Sequence, residues 1–149
     1  LPTSQGKEFV LTMIDRTARW SEAIPTNKIK AEDIADLFIT HWVSRFGVPA
    51  KISTDQGRQF DCLLIKRLCK RLGTKKIRTT AYHPAANGRV ERWHRALKAA
   101  IMAYSNTNWV QLLPVILLGL RSAINSDTGV SPAQMTYGTE LRLPTEFFL

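Results

Sequence analysis

Residues 50–79 read AKISTDQGRQFDCLLIKRLCKRLGTKKIRT, and this stretch decides the fold. Ala50 to Thr54 is a short strand that runs into the turn-forming triplet Asp55-Gln56-Gly57. Leu63, Leu64, Leu68 and Leu72 then trace a helical stripe, and Gly73 stops it. Lys75 to Thr79 is a second short strand. Strand, helix and strand in immediate succession argue for an α/β architecture.

The flanking segments extend that pattern. Upstream, Glu8 to Ile14 and Arg19 to Ile24 are two short runs joined by Asp15-Arg16-Thr17-Ala18 and stopped by Pro25, which reads as a hairpin. From Ala31 the apolar period lengthens: Ile34, Leu37, Phe38, Val43 and Phe46 predict a helix over 31–46, closed by Gly47 and Pro49. Downstream, a polar loop from Tyr82 to Gly88 precedes a long helix through Glu91, Leu97, Ile101 and Tyr104, and a further apolar helix covers Trp109 to Ile124. The remainder, with Gly129, Pro132, Gly138 and Pro144, reads as an irregular extension with at most a short helical turn at 132–135. The expected organisation is one mixed sheet flanked by helices over residues 1–125, with residues 126–149 extending it.

A chain of 149 residues with 44% apolar content suffices for one domain with a single core. Its formal net charge of +9 points to a polyanionic partner, nucleic acid or an anionic membrane surface. No apolar run approaches the roughly 20 residues of a membrane span, and the N-terminal residues lack the form of a signal peptide, so a soluble intracellular protein is expected. Cys62 and Cys69 lie about 10 Å apart along one helix at about 1.5 Å per residue, too far to pair, and read as small apolar residues.

Two carboxylates stand out. Asp55 lies just past the C-terminal end of a strand, where open α/β sheets place ligand-binding groups. Glu91 follows the loop at 82–88, and the intervening strand-helix-strand pattern can return the chain to the same sheet edge. Two such carboxylates could share a divalent cation of the kind that assists phosphoryl displacement. Each also has an ordinary reading: Asp55 as a helix N-cap, Glu91 as an acid in a first helical turn. Arg95 and Lys98 share a helix face with Glu91, which fits a metal site beside a phosphate track and equally fits a surface Glu91–Arg95 pair.

The densest basic stretch, from Lys66 to Arg78, could neutralise phosphates or form a solvated helix face. Tyr82 and Trp93 could stack on bases or pack in a core, and His83 could be a ligand or a plain loop residue.

Three blocks carry a resemblance: ISTDQGRQF at 52–60, AYHPAANGRVERWHRALKAAI at 81–101 and TGVSPAQMTYGTELRLP at 128–144. They resemble the integrase catalytic core of Ty3/gypsy-type retrotransposons, within the retroviral integrase superfamily, and the opening LPTSQGKEFVLTMIDRTARWSEAIP is similar to that family's early hairpin. The resemblance implies an RNase H-like fold, DNA as partner, Mg2+ or Mn2+ as cofactor, and 3′-end processing and strand transfer as activity. It implies metal-binding roles for Asp55 and Glu91, and DNA-contacting or loop roles for Tyr82, Asn87, Arg95 and Lys98. It also implies a nucleus-located protein that works as a homo-oligomer. Members use three carboxylates, the first on a strand preceding the segment that matches Leu1-Pro2, so the chain is expected to lack that strand and to be impaired. Asp15 matches a hairpin-end position with no metal role and reads as a turn residue. The alternative is a non-catalytic nucleic-acid-binding or interaction module derived from an integrase.

Overall fold

A computed structural model describes residues 2–54, 57–78, 84–104 and 108–144, with the backbone alone at 78, 84–90 and 104. Strands β1 (Phe9–Ile14) and β2 (Ser21–Thr26) pair antiparallel, with Phe9 opposite Thr26 and Ile14 opposite Ser21. Asp15 organises the turn: its side chain accepts from the backbone N–H groups of Thr17 and Ala18, at 2.8 and 2.9 Å. β2 continues through Pro25 to Thr26 instead of stopping there. As β2 pairs with β1 alone among the described strands, a missing N–H can be accommodated on its open edge.

The helix expected over 31–46 is present in three pieces: α1 (Ala31–Phe38), a π turn (Ile39–Val43) and α2 (Ser44–Phe46). The wider turn carries Trp42, which is buried. Next, β3 (Lys51–Thr54), α3 (Leu63–Leu72) and β4 (Lys75–Arg78) form the strand-helix-strand unit, with β3 and β4 parallel and Lys51 opposite Lys75. α3 ends because Gly73 takes a left-handed φ of 73°, returning the Thr74 N–H to the Cys69 carbonyl at 2.8 Å. Both strand senses are thus present, as one antiparallel and one parallel pair.

α4 (Pro84–Tyr104) and α5 (Trp109–Ser122) pack on each other, and α5 also packs on β2. Their contact is the main core, in which Leu97, Ile101, Trp109, Leu113, Ile116 and Leu117 are buried with Ala23 of the hairpin. Trp109 is fully buried and its indole N–H donates to the Pro2 carbonyl at 2.6 Å. A second cluster gathers Trp20, Trp42 and Ala133, with Phe38 and Phe46 against it.

The segment after 125 is more regular than its composition implies. α6 (Pro132–Tyr137) starts with the Ser131 hydroxyl accepting from the Gln134 N–H at 3.1 Å, has Pro132 in its first turn and ends at Gly138, φ 74°. It extends two residues beyond the expected turn because Ala133 is fully buried in the tryptophan cluster and Tyr137 meets Trp20 edge-on at 5.1 Å.

Candidate active site

β3 delivers the chain to position 55 from the end of a strand, at Thr54. Asp55 itself lies outside the described residues, as do Tyr82 and His83. Just before it, the Ser53 hydroxyl is buried with no hydrogen-bond partner among the described residues.

Glu91 lies on α4, and its position differs from expectation. The segment 84–88, read as loop, is the start of the helix, so Glu91 stands about two turns inside it at 3.6 residues per turn. The physical reason is Pro84, whose fixed φ suits a first helical position, together with downstream packing by Leu97 and Ile101 that offsets the helix-weakening Gly88. The helix dipole acts within the first turn, and the first turn holds no acid, so dipole stabilisation does not account for Glu91. The other ordinary reading also fails: Glu91 forms no ion pair within 4 Å with Arg95 or with any other described residue.

The helical register brings four expected site residues together. Asn87, Glu91, Arg95 and Lys98 follow one another at intervals of four, four and three, and so share one face of α4. Glu91, Arg95 and Lys98 are exposed; Asn87 is placed by the backbone alone. Trp93 points the other way, packed beside the main core, with its indole N–H buried and unpaired among the described residues. Of its two readings, base stacking and core packing, packing is the one the structure shows.

Sequence reasoning missed His94. Its Nε2 lies 2.7 Å from the Thr12 hydroxyl, which ties α4 to the middle of β1. Beside this contact Lys98 helps line a cavity of about 300 Å³ with Val10, Thr12, Leu97 and Ile101. The helical spacing from Glu91 could have singled out His94, but Thr12 is 82 positions away and carries no local signal.

A second missed group holds the scaffold. Glu22 is buried and accepts from Arg121 Nη2 at 2.8 Å, from the Trp20 indole N–H at 3.1 Å and from Arg45 Nη1 at 3.3 Å. Arg121 also donates twice to the Ser21 carbonyl and stacks 4.4 Å above the Trp20 ring. Burial pushes the Arg121 guanidinium below its ordinary pKa, while Glu22 pulls it back up. The network fixes the hairpin to the C-terminal end of α5 and to α2.

Carboxylate oxygens are the donors that Mg2+ and Mn2+ favour, and Glu91 offers one exposed carboxylate. Among the described residues no three His, Cys, Asp or Glu side chains converge. No described helix is long and apolar enough to cross a membrane.

The family model of the integrase core domain matches residues 1–84, which includes Asp55 and ends where α4 begins. Across most of the chain there is 32% identity, over 136 residues, to the Gag-Pol polyprotein of avian reticuloendotheliosis virus, covering 89% of this chain and 12% of that protein. The Gag-Pol polyprotein of walleye dermal sarcoma virus is 30% identical over 138 residues, covering 90% and 8%. The chain thus spans about a tenth of the length of these curated relatives. Among solved structures, the catalytic core domain of BIV integrase superposes with a TM-score of 0.71 at 26% identity, over 85% of this chain and 83% of that one. The simian T-cell lymphotropic virus intasome, solved with PP2A regulatory subunit B56 gamma, gives 0.76 at 19% identity, over 95% and 52%, a likeness of fold. The α/β architecture is accordingly the RNase H-like one of integrase catalytic cores. With more than half its residues matched by the family model, the chain belongs to the integrase core domain family.

Proposed function

We propose that this chain is the catalytic core, or part of it, of an integrase that acts on retroelement DNA in the nucleus, trimming 3′ ends and transferring them to a target strand. The observation that carries the proposal is the exposed face of α4, where Glu91 has no described ion-pair partner and is followed on the same face by Arg95 and Lys98. Such a face spends nothing on stability that would explain its composition, and its chemistry suits a cation next to a phosphodiester. Within the family we place the chain with the Ty3/gypsy-type elements, whose blocks at 52–60, 81–101 and 128–144 it resembles.

In this reading Asp55 and Glu91 hold Mg2+ or Mn2+ through carboxylate oxygens. When bound, the cation supplies Lewis-acid stabilisation of charge developing on the phosphoryl oxygens. Arg95 donates in a fork to phosphate oxygens, Lys98 adds a point charge beside them, and both orient the DNA strand. Asn87, one turn before Glu91, and Tyr82, ahead of the helix, position the strand end. The work of a homo-oligomer is to bring two such sites to one target. In support, one solved relative is an intasome and another, the HTLV-2 integrase catalytic core domain, was solved with magnesium in a trimeric form.

The test is joining of a labelled duplex end to target DNA in the presence of Mn2+ or Mg2+. In a polypeptide that carries the full carboxylate set, Glu91→Gln is expected to abolish joining, and undiminished joining by that variant sinks the assignment.

A further inference from the structure

Residues 57–78 hold eight Lys or Arg against the single carboxylate of Asp61, a net charge of +7 in a chain whose total is +9. α3 sorts this segment into two faces. Ile65 and Cys69 are buried and Leu68 and Leu72 half-buried, while Lys66, Arg67, Lys70 and Arg71 are all exposed. At 3.6 residues per turn the four cations cover an arc of about 140°, centred opposite the apolar one. Exposed Leu63 lies within the same arc.

An ordinary solvated helix face interleaves acids with bases, and this one does not. Lys66 pairs with Asp61 at 3.7 Å, and Lys76 reaches the same carboxylate at 3.9 Å. Arg67, Lys70 and Arg71 have no acid within 4 Å among the described residues, although α1, which packs on α3, carries Glu32, Asp33 and Asp36. Like charges at i and i+4 repel, and the face carries a cost that Asp61 offsets only at Lys66 and the C-terminal end of the helix dipole only in part at Lys70 and Arg71. A polyanion would offset it.

We infer that the exposed face of α3 is a second DNA-binding surface, which holds the phosphate backbone of a duplex apart from the Glu91 face. α3 packs with α1 whereas α4 packs with α5, so the two cationic surfaces belong to different helical layers. Duplex DNA fits because it presents about one charge per 1.7 Å of axis to a row of cations. A membrane surface fits poorly: an interfacial helix buries its apolar face in lipid, and Ile65 and Cys69 of α3 are already buried in the protein, which leaves Leu63 and Leu64 as its exposed apolar side chains. This inference rests on the reading of DNA as the partner, and not on strand transfer.

The experiment is fluorescence anisotropy of a labelled duplex with the 149-residue chain, from 50 to 200 mM salt. Each phosphate contact contributes about 0.9 to the slope of log K against log salt. The Arg67→Gln/Lys70→Gln/Arg71→Gln variant is expected to lose about 2 to 3 from that slope and to bind about a hundredfold more weakly at 100 mM. Arg95→Gln/Lys98→Gln should remove a separate increment of about 2. Circular dichroism checks the fold, and should the triple variant unfold, Lys70→Gln alone reports a loss of about 0.9. Where the wild type binds duplex, an unchanged slope in the triple variant overturns the inference and leaves DNA as the partner. No duplex binding by the wild type at 50 mM overturns both. A change in sedimentation without a change in slope, or tighter binding to anionic vesicles than to duplex, also overturns it, giving the face to a second copy or to lipid.

Discussion

Replacing Glu91 by Gln separates a functional carboxylate from a structural one. The side chain is exposed and pairs with no described residue, so the substitution removes no buried contact and no ion pair. Surface changes of that kind stay within about 0.5 kcal/mol. Unfolding entropy near 2.1 cal/mol/K per residue gives a chain of 149 residues about 0.3 kcal/mol per degree, so the melting temperature should move by less than about 2 °C. A cation bound at tenfold over its dissociation constant stabilises the folded state by about 1.4 kcal/mol, which is a rise of roughly 4 to 5 °C. The assay is thermal unfolding followed by circular dichroism across a MnCl2 titration. Wild type should rise with a saturable curve; Glu91→Gln should start from the same temperature and rise less. A metal-free drop of 5 °C or more would show that Glu91 supports the fold. Identical titration curves for the two proteins would remove it from the metal site.

Glu22→Ala is the opposite case: it strands the Arg121 guanidinium, whose side chain is only 16% exposed, and should cost about 3–5 kcal/mol. Chemical denaturation measures this, a loss under 1 kcal/mol refutes it, and Glu22→Met/Arg121→Met should recover much of the loss because neither charge is then buried alone. The Thr12–His94 contact predicts a coupling of about 0.5–1.5 kcal/mol in a double-mutant cycle of Thr12→Val and His94→Ala; additive effects would mean that the contact does not join β1 to α4 in solution.

Elements whose cause is local were legible in the sequence. The stop of α3 at Gly73 follows from one residue's freedom to take positive φ, and the turn of the hairpin from an Asx turn at Asp15, so both stand where expected, although β2 runs over Ser21–Thr26 and not Arg19–Ile24. The start of α4 was misplaced because Gly88 and Asn87 are loop formers by propensity, whereas the outcome is set by Pro84 and by core contacts further along the helix. α6 was underestimated for the same reason: its length depends on Ala133 and Tyr137 meeting the cluster around Trp20, itself more than a hundred positions away. At the candidate site, the shared face of Glu91, Arg95 and Lys98 was readable from helical spacing alone, whereas Asn87 joins it because α4 already begins at Pro84. His94 and the Glu22–Arg121 network were not, because each owes its role to a partner 82 or 99 positions distant.

These misses and successes follow from where charge is neutralised. Glu22 is buried, so it can persist as a carboxylate only if the fold supplies partners, and three donors surround it. Glu91 and the cations of α3 are exposed, so water already solvates them and folding has no need to pair them. An exposed charge left without a partner is unremarkable singly, as most surface charges contribute little. It becomes informative when like charges crowd one face at a repulsive cost, as on α3, or when an acid sits where neither dipole nor neighbour favours it, as at Glu91. In both places the proposed partner is of opposite sign and comes from outside the chain: a cation for Glu91, a phosphate backbone for α3. The two partners carry opposite charge, so one reagent tells the two sites apart: added Mn2+ should strengthen occupation of the first site while competing with the cations of the second for DNA phosphates.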